Sequence, residues 1–324
     1  MLPAFIAAAL FGLAAVAPAA AAAPAYPDKP IRLVVPFSPG GGTDILARQV
    51  AEGLTKSEGW NVVVENRPGG NGIIALGGVA RAPADGYQII LALRENIVIA
   101  PLLSKDSMSF DPLKDFTSIV NVADAPMVIV AAPQSPYDTM RKALDAARKD
   151  SQALRFGTSG QGSMSHLLLA LLGKTAGAEM IHVPYKGSSP ALTDLVGGHV
   201  ELVGGSIASG KAFIDSGRVR PLAVSSQERV AAYPDVPTIA ELGYPGFDVV
   251  TWYGLFGPRD MPADVVEKIN RATNKVLETP AMKRVLADQG MVSRIGSPAD
   301  FDRVFRDDYV GLAEQLKGLN LSVQ

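Results

Sequence analysis

The stretch at residues 31–44 is IRLVVPFSPGGGTD, an apolar, β-branched run that leads through a glycine-rich turn into a helical pattern. A second stretch of this form, GTSGQGS at residues 157–163, also follows an apolar run and precedes SHLLL at residues 165–169. A strand that ends in glycines and continues as a helix presents backbone N–H groups without partners, with the helix dipole behind them. Such a turn can bind an anion. If the two turns face each other across a cleft, they predict a site for a small molecule that carries carboxylates.

The N-terminus has the pattern of a secretory signal peptide. Residues 1–23 contain no charged side chain, and the apolar run at residues 5–16 is followed by an alanine tract. We expect cleavage near residues 22–25 and delivery to the periplasm, the alternative being a disordered apolar tail. The run is too short for a permanent membrane span, and later apolar runs are shorter than the roughly 18 residues that a span needs. The mature protein is therefore predicted not to be embedded in a membrane.

Composition excludes several classes of protein. The sequence has 30 Lys and Arg, 32 Asp and Glu, a net charge of −2 and no cysteine. The charge balance and the lack of basic runs argue against nucleic-acid binding. Thiol catalysis and thiolate metal sites are excluded, and His166, His182 and His199 lack metal-binding spacing. The GNGIIA stretch at residues 70–75 has no acidic residue at the end of the next strand, as a dinucleotide site requires. We expect neither a metal nor a cofactor.

Apolar runs alternate with helical patterns, which predicts an α/β architecture with mostly parallel sheets. The chain length suits two domains. We predict crossings between them near residues 122–126 and 247–256. Domain I then comprises residues 24–124 and 250–324, and domain II residues 125–249. The predicted strands are Ile31–Phe37, Trp60–Asn66, Tyr87–Leu93, Pro126–Ala132, Leu154–Gly157, Met180–Pro184 and Arg220–Ser225.

Several helices have explicit start and stop signals. Amphipathic patterns predict helices at Asp44–Leu54 and Thr139–Arg148. A capping residue followed by proline predicts helix starts at Ser189, Thr279 and Ser297. Glycines predict the ends of two of these helices, Gly197 for the first and Gly290 for the second. In the last helix one apolar face is predicted to pack on the core: Phe301, Val304, Phe305, Leu312 and Leu316.

The first glycine-rich turn is a candidate binding loop. Its candidate residues are Ser38, Gly40, Gly41, Gly42, Thr43 and Asp44. The glycines allow a ligand to approach bare backbone. Thr43 can cap the helix that follows, and Asp44 in its first turn complements the dipole. The alternative is a tight turn without a ligand, but three glycines cost backbone entropy that a simple turn does not require.

The second turn offers Ser159, Gly160, Gly162, Ser163 and His166. Its hydroxyls and N–H groups could hold a carboxylate, although Ser163 could equally be an ordinary helix cap. His166 lies in the first turn of a helix, where the dipole disfavours protonation, so we expect a neutral imidazole. A hydrolase pair of Ser163 and His166 is disfavoured because the turn lacks the G-x-S-x-G pattern. We expect no catalytic residue.

A series of short motifs follows in a specific order and spacing along nearly the whole mature chain: YPDKPIR at 26–32, PGGGTD at 39–44, VENRPGG at 64–70, ADGY at 84–87, the 157–167 loop, VPYKG at 183–187, PDVPT at 234–238 and WYGL at 252–255. By these motifs the sequence resembles the solute receptors of tripartite tricarboxylate transporters, the Bug-type periplasmic binding proteins. The resemblance implies a type II binding-protein fold, in which two α/β domains close by a hinge on a carboxylate. It also implies that the two glycine-rich loops, with His166, hold that carboxylate.

Two departures from the family pattern bear on specificity. After the strand at residues 87–93 relatives often carry small or hydroxyl residues, whereas this chain has Arg94, Glu95 and Asn96. Arg94 could clamp a second carboxylate, or could pair with Glu95 or a surface acid. Where many relatives place an aromatic and an acidic residue, this chain has glycines followed by Ser206. We predict that Arg94, Asn96 and Ser206 recognise the remainder of the ligand.

The sequence thus predicts a monomeric periplasmic receptor that binds a small carboxylate and performs no chemistry. Its other partners would be the membrane subunits of a tripartite tricarboxylate transporter. Two alternatives remain at this point. One is a receptor that presents its closed form to a membrane sensor kinase. The other is a secreted hydrolase, which the sequence pattern disfavours.

Overall fold

The structure is a computed structural model, and it describes residues 26–103, 108–161 and 163–316. The predicted signal segment at residues 1–23 and the candidate residue Gly162 lie outside the described residues. The strands are β1 (Ile31–Val35), β2 (Val62–Asn66), β3 (Gln88–Leu93), β4 (Phe116–Ala131), β5 (Arg155–Thr158), β6 (Ile181–Pro184), β7 (Leu202–Ser206), β8 (Arg220–Val224), β9 (Val250–Pro258) and β10 (Val292–Ser293). The helices are α1 (Gly42–Glu58), α2 (Ile73–Ala80), α3 (Ala100–Leu103), α4 (Met140–Lys149), α5 (Met164–Ala176), α6 (Ser188–Val196), α7 (Ile207–Asp215), α8 (Ala263–Leu277), α9 (Pro280–Asp288) and α10 (Pro298–Gln315).

Two groups of strands share one long strand. The first group runs β2-β1-β3-β9-β4, in which β1 pairs in parallel with β2 and β3 and β9 is antiparallel to both neighbours. The second runs β4-β7-β5-β6, with β8 also on β4. Here β5 is parallel to β6 and β7, whereas β4 is antiparallel to β7 and β8. The prediction of mostly parallel sheets is therefore wrong, because the antiparallel β4 and β9 make both groups mixed.

The strand β4 passes from one group to the other without a break. Residues 116–126 pair with β9, residues 127–131 pair with β7, and residues 128–131 pair with β8. The last residue pair with β9 is Pro126 with Val250. Proline lacks an N–H and suits a position where a strand changes partners. The exact domain boundaries, at residues 124/125 and 249/250, stay a prediction.

Helices cover the first group of strands, and among them α8 packs closely against α1. Leu46, Val50 and Leu54 on one face of α1 are buried in a core cluster that also contains residues of α8. The two helices approach so closely at Gly53 that a Cβ there would lie 2.3 Å from Val276 Cγ1. Only glycine permits this contact. Because α8 packs against α1, the direction in which the N-terminus of α1 points is fixed.

The structure corrects several local predictions. Helix α6 has its cap at Gly187 rather than Ser189, and α1 begins at Gly42, before Thr43. The caps at Thr279 and Ser297 are confirmed, and Ser297 forms a reciprocal capping box with Asp300. In α10, Phe301, Phe305 and Leu312 are buried, but Val304 is exposed. The predicted strand Pro126–Ala132 is the second half of β4, and β7 and β9 were not among the predicted strands.

Candidate functional site

A cavity of about 370 Å³ lies between the two groups of strands. The starts of three helices, α1, α5 and α7, contribute to its wall. The first amides of a helix have no carbonyl of a preceding turn to bond, so each start offers N–H donors and the positive end of a dipole. The described lining residues are Gly42, Thr43, Glu95, Ala125, Pro126, Met127, Met164, Ser206, Ile207, Ala208, Ser209, Thr251, Tyr253, Gln289 and Met291.

The loop before α1 is held by the carboxylate of Asp44. Its Oδ2 accepts from Gly40 N (2.9 Å) and Arg48 Nε (3.0 Å), and its Oδ1 accepts from Asn66 Nδ2 (2.9 Å). The Arg48 hydrogen bond, with that from Gly40, lowers the pKa of Asp44 to about 2. Gly40 has φ +84°, which glycine adopts readily. The structure thus gives Asp44 a role in shaping the loop, and Gly42 and Thr43 reach the cavity.

Not every candidate in this loop reaches the cavity. Ser38, Gly40 and Gly41 are exposed and are not among its lining residues. Gly41 is the N-cap of α1, and its carbonyl accepts from Ile45 N (3.0 Å). Thr43 is not the cap, contrary to our expectation, since no side-chain capping bond is formed there. Its role is instead to line the cavity from the first turn.

The loop before α5 is built from a cluster of hydroxyl groups. Ser163 Oγ donates to Gly160 O (2.7 Å) and accepts from His166 N (3.3 Å), so Ser163 is the N-cap of α5. The buried Ser165 Oγ accepts from Ser159 N (2.9 Å) and lies 3.1 Å from Ser159 Oγ. Ser165 is not among the site residues predicted from the sequence. From this loop Met164 lines the cavity, at the start of the helix.

Ser206 marks a third helix start. It is the N-cap of α7, and its Oγ accepts from Ser209 N at 3.2 Å. Ser206, Ile207, Ala208 and Ser209 all line the cavity. Ser206 is a predicted site residue, but the helix start that follows β7 is not predicted. The signal was present, because a hydroxyl residue between glycines and an apolar run is typical of an N-cap.

Arg94 and Asn96 point away from the cavity. The Arg94 guanidinium forms a bidentate pair with Asp308, with Nε–Oδ2 at 2.7 Å and Nη2–Oδ1 at 2.6 Å, and also donates to Val250 O. It lines a separate cavity of about 430 Å³ together with Asp308. Two interpretations were open for Arg94, a ligand clamp and a pair with an acid. The structure shows the pair, and the acid is Asp308 rather than Glu95. Asn96 is fully buried and accepts from Leu93 N at 2.9 Å.

The residue between them, Glu95, does line the cavity. Its side chain is partly exposed, and its Oε2 accepts from Thr251 Oγ1 at 2.5 Å. Burial raises the pKa of Glu95, although the Thr251 hydrogen bond opposes that shift. The pKa of Tyr253 on the same wall is raised by burial and by the negative charge of Glu95. Glu95 departs from the family pattern, but it is not among the site residues predicted from the sequence.

His166 lies in a different groove. Its ring stacks on His182, with centroids 4.0 Å apart and planes at 7°. Both rings line a groove of about 870 Å³ on the second group of strands. Burial, and then the charge of His182, lower the pKa of His166 to about 4, so the imidazole is neutral at pH 7 as expected. The main cause is burial rather than the helix dipole that we invoked.

The described residues contain neither a membrane-spanning helix nor a cluster of metal-binding side chains. None of the helices in residues 26–103, 108–161 and 163–316 has the length and apolar character needed to span a bilayer. Within these same ranges, His, Asp and Glu do not form a group of three or more that could hold a metal ion.

Two α/β halves around a cleft, with helix starts on both sides, define a type II periplasmic binding protein with two domains. The chain belongs to the tripartite tricarboxylate transporter family of receptors, whose family model matches residues 46–320. Protein BugT of Bordetella pertussis is 35% identical over 273 residues, which cover 84% of each chain. The resemblance to Bug-type receptors is thereby confirmed.

Solved structures agree with this family and fold. The R. palustris protein Rpa4515, solved with adipate, is 33% identical with a TM-score of 0.76, covering 90% of this chain and 97% of that one. MatC from Rhodopseudomonas palustris, solved with bound malate, is 29% identical with a TM-score of 0.72, covering 89% of this chain and 99% of that one. The family is one of solute-binding receptors of the periplasm.

Proposed function

We propose that this receptor captures a small carboxylate reversibly in the cleft between its two domains and delivers it to the membrane subunits of a tripartite tricarboxylate transporter. One observation carries the proposal: three helix starts meet at one cavity, and the described lining residues include no Lys, Arg or His. A carboxylate there would be held by backbone amides and helix dipoles. The adipate and malate in the two related structures support a carboxylate as the class of ligand.

The proposed contacts come from both domains, with domain I formed by residues 24–124 and 250–324. They are the amides at the start of α1, around Gly42 and Thr43, those at the start of α5, around Met164, and those after Ser206. The hydroxyls of Ser206 and Ser209 lie beside the last group. In this proposal the protein performs no catalysis, acts as a monomer, and is exported after cleavage of a signal peptide near residues 22–25.

Ligand binding can be tested by thermal unfolding. The panel would contain mono-, di- and tricarboxylates, aromatic acids and amino acids, each tested before and after unfolding and refolding to remove any bound ligand. A carboxylate present at a hundred times its Kd should stabilise the native state by about 2.7 kcal/mol. If no carboxylate raises the Tm of the refolded protein, the proposal is wrong.

A glycine variant locates the site. Gly42 has ordinary φ, and a Cβ there would lie 3.6 Å from Gln289 Oε1 across the cavity wall, so a side chain fits without backbone strain. We expect Gly42→Leu to fill the cavity mouth and weaken binding at least tenfold, a loss of about 1.4 kcal/mol. Gly311→Leu is the matched control, since it also replaces a helical glycine but faces open space. Equal affinities for the two variants would place the site elsewhere.

A further inference from the structure

The charge of the cavity wall is unusual for a site that binds an anion. Glu95 is the one charged side chain among its described lining residues, and the rest of the wall is apolar, hydroxyl or amide in character. A carboxylate ligand would therefore share a small, partly enclosed space with a second carboxylate. Because charges in such a space are poorly screened, the character of the ligand near Glu95 matters for affinity.

The protein itself leaves the charge of Glu95 largely unbalanced. The adjacent cation, Arg94, lowers the pKa of Glu95 by its charge, but it is held in a bidentate pair by Asp308, whose like charge opposes that effect. Facing Glu95 from β9 are Thr251, which donates one hydrogen bond, and Tyr253, whose phenol is neutral. An ionised, partly buried carboxylate is stable when it is paired and hydrogen-bonded. The cavity supplies the hydrogen bond but not the counter-ion.

We propose that the counter-ion comes from the ligand: the receptor selects a zwitterion, with its carboxylate at the helix starts and its protonated amine against Glu95. This inference rests on the proposed function and names the class of carboxylate. A dicarboxylate would instead place its second carboxylate beside Glu95, and one of these two carboxylates would have to take up a proton. An ammonium group needs no such proton and donates hydrogen bonds directly to a carboxylate.

The two kinds of ligand differ in the direction of their pH dependence. Burial holds the pKa of free Glu95 above its usual value, and an ammonium group beside it would lower that pKa again. Binding of a zwitterion therefore releases protons from Glu95, and its affinity rises with pH in the acid range. A second ligand carboxylate would bind best to protonated Glu95, so the affinity of a dicarboxylate would fall as pH rises.

Matched pairs of ligands test this inference. Aspartate and malate differ by an ammonium in place of a hydroxyl, and 6-aminohexanoate and adipate differ by a CH₂–NH₃⁺ group in place of a second carboxylate. In calorimetry on the full protein at pH 7, the amine-bearing member of at least one pair should bind at least tenfold more tightly than its partner. In Glu95→Gln that preference should fall tenfold or more. Glu52→Gln, which removes an exposed acid from α1, should leave it unchanged.

The outcomes separate this inference from the proposed function. If malate, adipate or another amine-free carboxylate binds best and Glu95→Gln does not alter the ratio, the zwitterion inference is wrong while the receptor function stands. If no carboxylate of either kind binds, both fail. Proton release, measured by calorimetry in two buffers of different ionisation enthalpy, adds a signature that a structural role of Glu95 would not give. Proton uptake, rather than release, on binding of an amine-bearing ligand would overturn the inference.

Discussion

At the scale of single residues, the loop before α1 depends on Asp44. The sequence suggested an acid that complements the helix dipole, whereas the structure shows a carboxylate that accepts from Gly40, Arg48 and Asn66. The hydrogen-bond acceptors of Asp44 are thus directed at its own loop rather than at the cavity. An acid in a first helical turn is readable from sequence, but its partner Asn66 on β2 depends on the tertiary fold.

We expect Asp44→Asn to destabilise the protein by about 1–3 kcal/mol at pH 7, because an amide NH₂ would replace an oxygen that faces donors. Urea unfolding measures this loss. The control, Glu52→Gln, removes an exposed acid from the same helix and should cost less than about 0.5 kcal/mol. If Asp44→Asn has the same free energy of unfolding as the wild type, the loop is held by other contacts.

Asp44 also predicts an acid-dependent loss of stability. Its folded pKa of about 2 lies below the usual 3.8, so the ionised form stabilises the native state above about pH 4. This contribution, about 1–2 kcal/mol after allowance for the half-exposed Arg48, is lost as pH falls toward 2. The difference between wild type and Asp44→Asn should therefore shrink between pH 4 and pH 2. A constant difference would contradict this account.

His166 predicts a separate effect at milder pH. Its folded pKa of about 4 lies below the usual 6.5, so the unfolded chain binds more protons between these values. Stability should thus fall by roughly 1–2 kcal/mol as pH drops from 6.5 to 4. We expect His166→Gln to flatten this part of the urea-unfolding profile, while His199→Gln, at an exposed position, should not. Parallel profiles for all three proteins would exclude His166 as the cause.

At the scale of elements, α10 is tied to β9 and to the segment after β3. Asp308 on α10 pairs with the buried Arg94 after β3 and accepts from Trp252 Nε1 on β9 at 2.9 Å. We expect Asp308→Asn to cost about 3–5 kcal/mol, because it leaves a buried guanidinium without its counter-ion. Asp307→Asn, at the exposed neighbouring position, should be nearly neutral. If Asp308→Asn costs no more than Asp307→Asn, the Arg94–Asp308 pair does not hold α10 in place.

Elements that follow local rules could be predicted from sequence, and elements that depend on distant partners could not. The turns before α1 and α5 are marked by glycines and hydroxyl residues, and the caps Thr279 and Ser297 precede prolines. By contrast, Arg94 finds Asp308 at a separation of 214 residues. The strand β9 is buried on both faces, so it lacks the alternation that would have marked it as a strand or given its direction.

At the scale of the whole molecule, the two domains touch where α9 ends. Gly290 has φ +67°, and a Cβ there would lie 2.3 Å from Ile207 Cγ2 at the start of α7. Any side chain at this position must push α7 away from the loop that carries Gln289 and Met291, which line the cavity. The separation of the domains is therefore sensitive to a single added methyl group.

We expect Gly290→Ala to open the cleft, which would increase the radius of gyration in small-angle scattering and weaken carboxylate binding. The control is Gly59→Ala, which has a similar φ of +71° after α1 but open space around it. Both variants should lose about 1 kcal/mol of stability from the left-handed backbone. If both bind ligand equally and scatter alike, the Gly290 contact does not set the opening.

The central position of β9 also determines when the protein can fold during synthesis. This strand joins β3 to β4, yet it lies in the last quarter of the chain, far along the sequence from both partners. Pairings between such distant segments form slowly, and none can form before the ribosome has passed residue 258. The first domain thus stays incomplete until most of the polypeptide exists. For a chain that we propose to be exported, this delay keeps it in the loosely folded form that a translocation channel can accept.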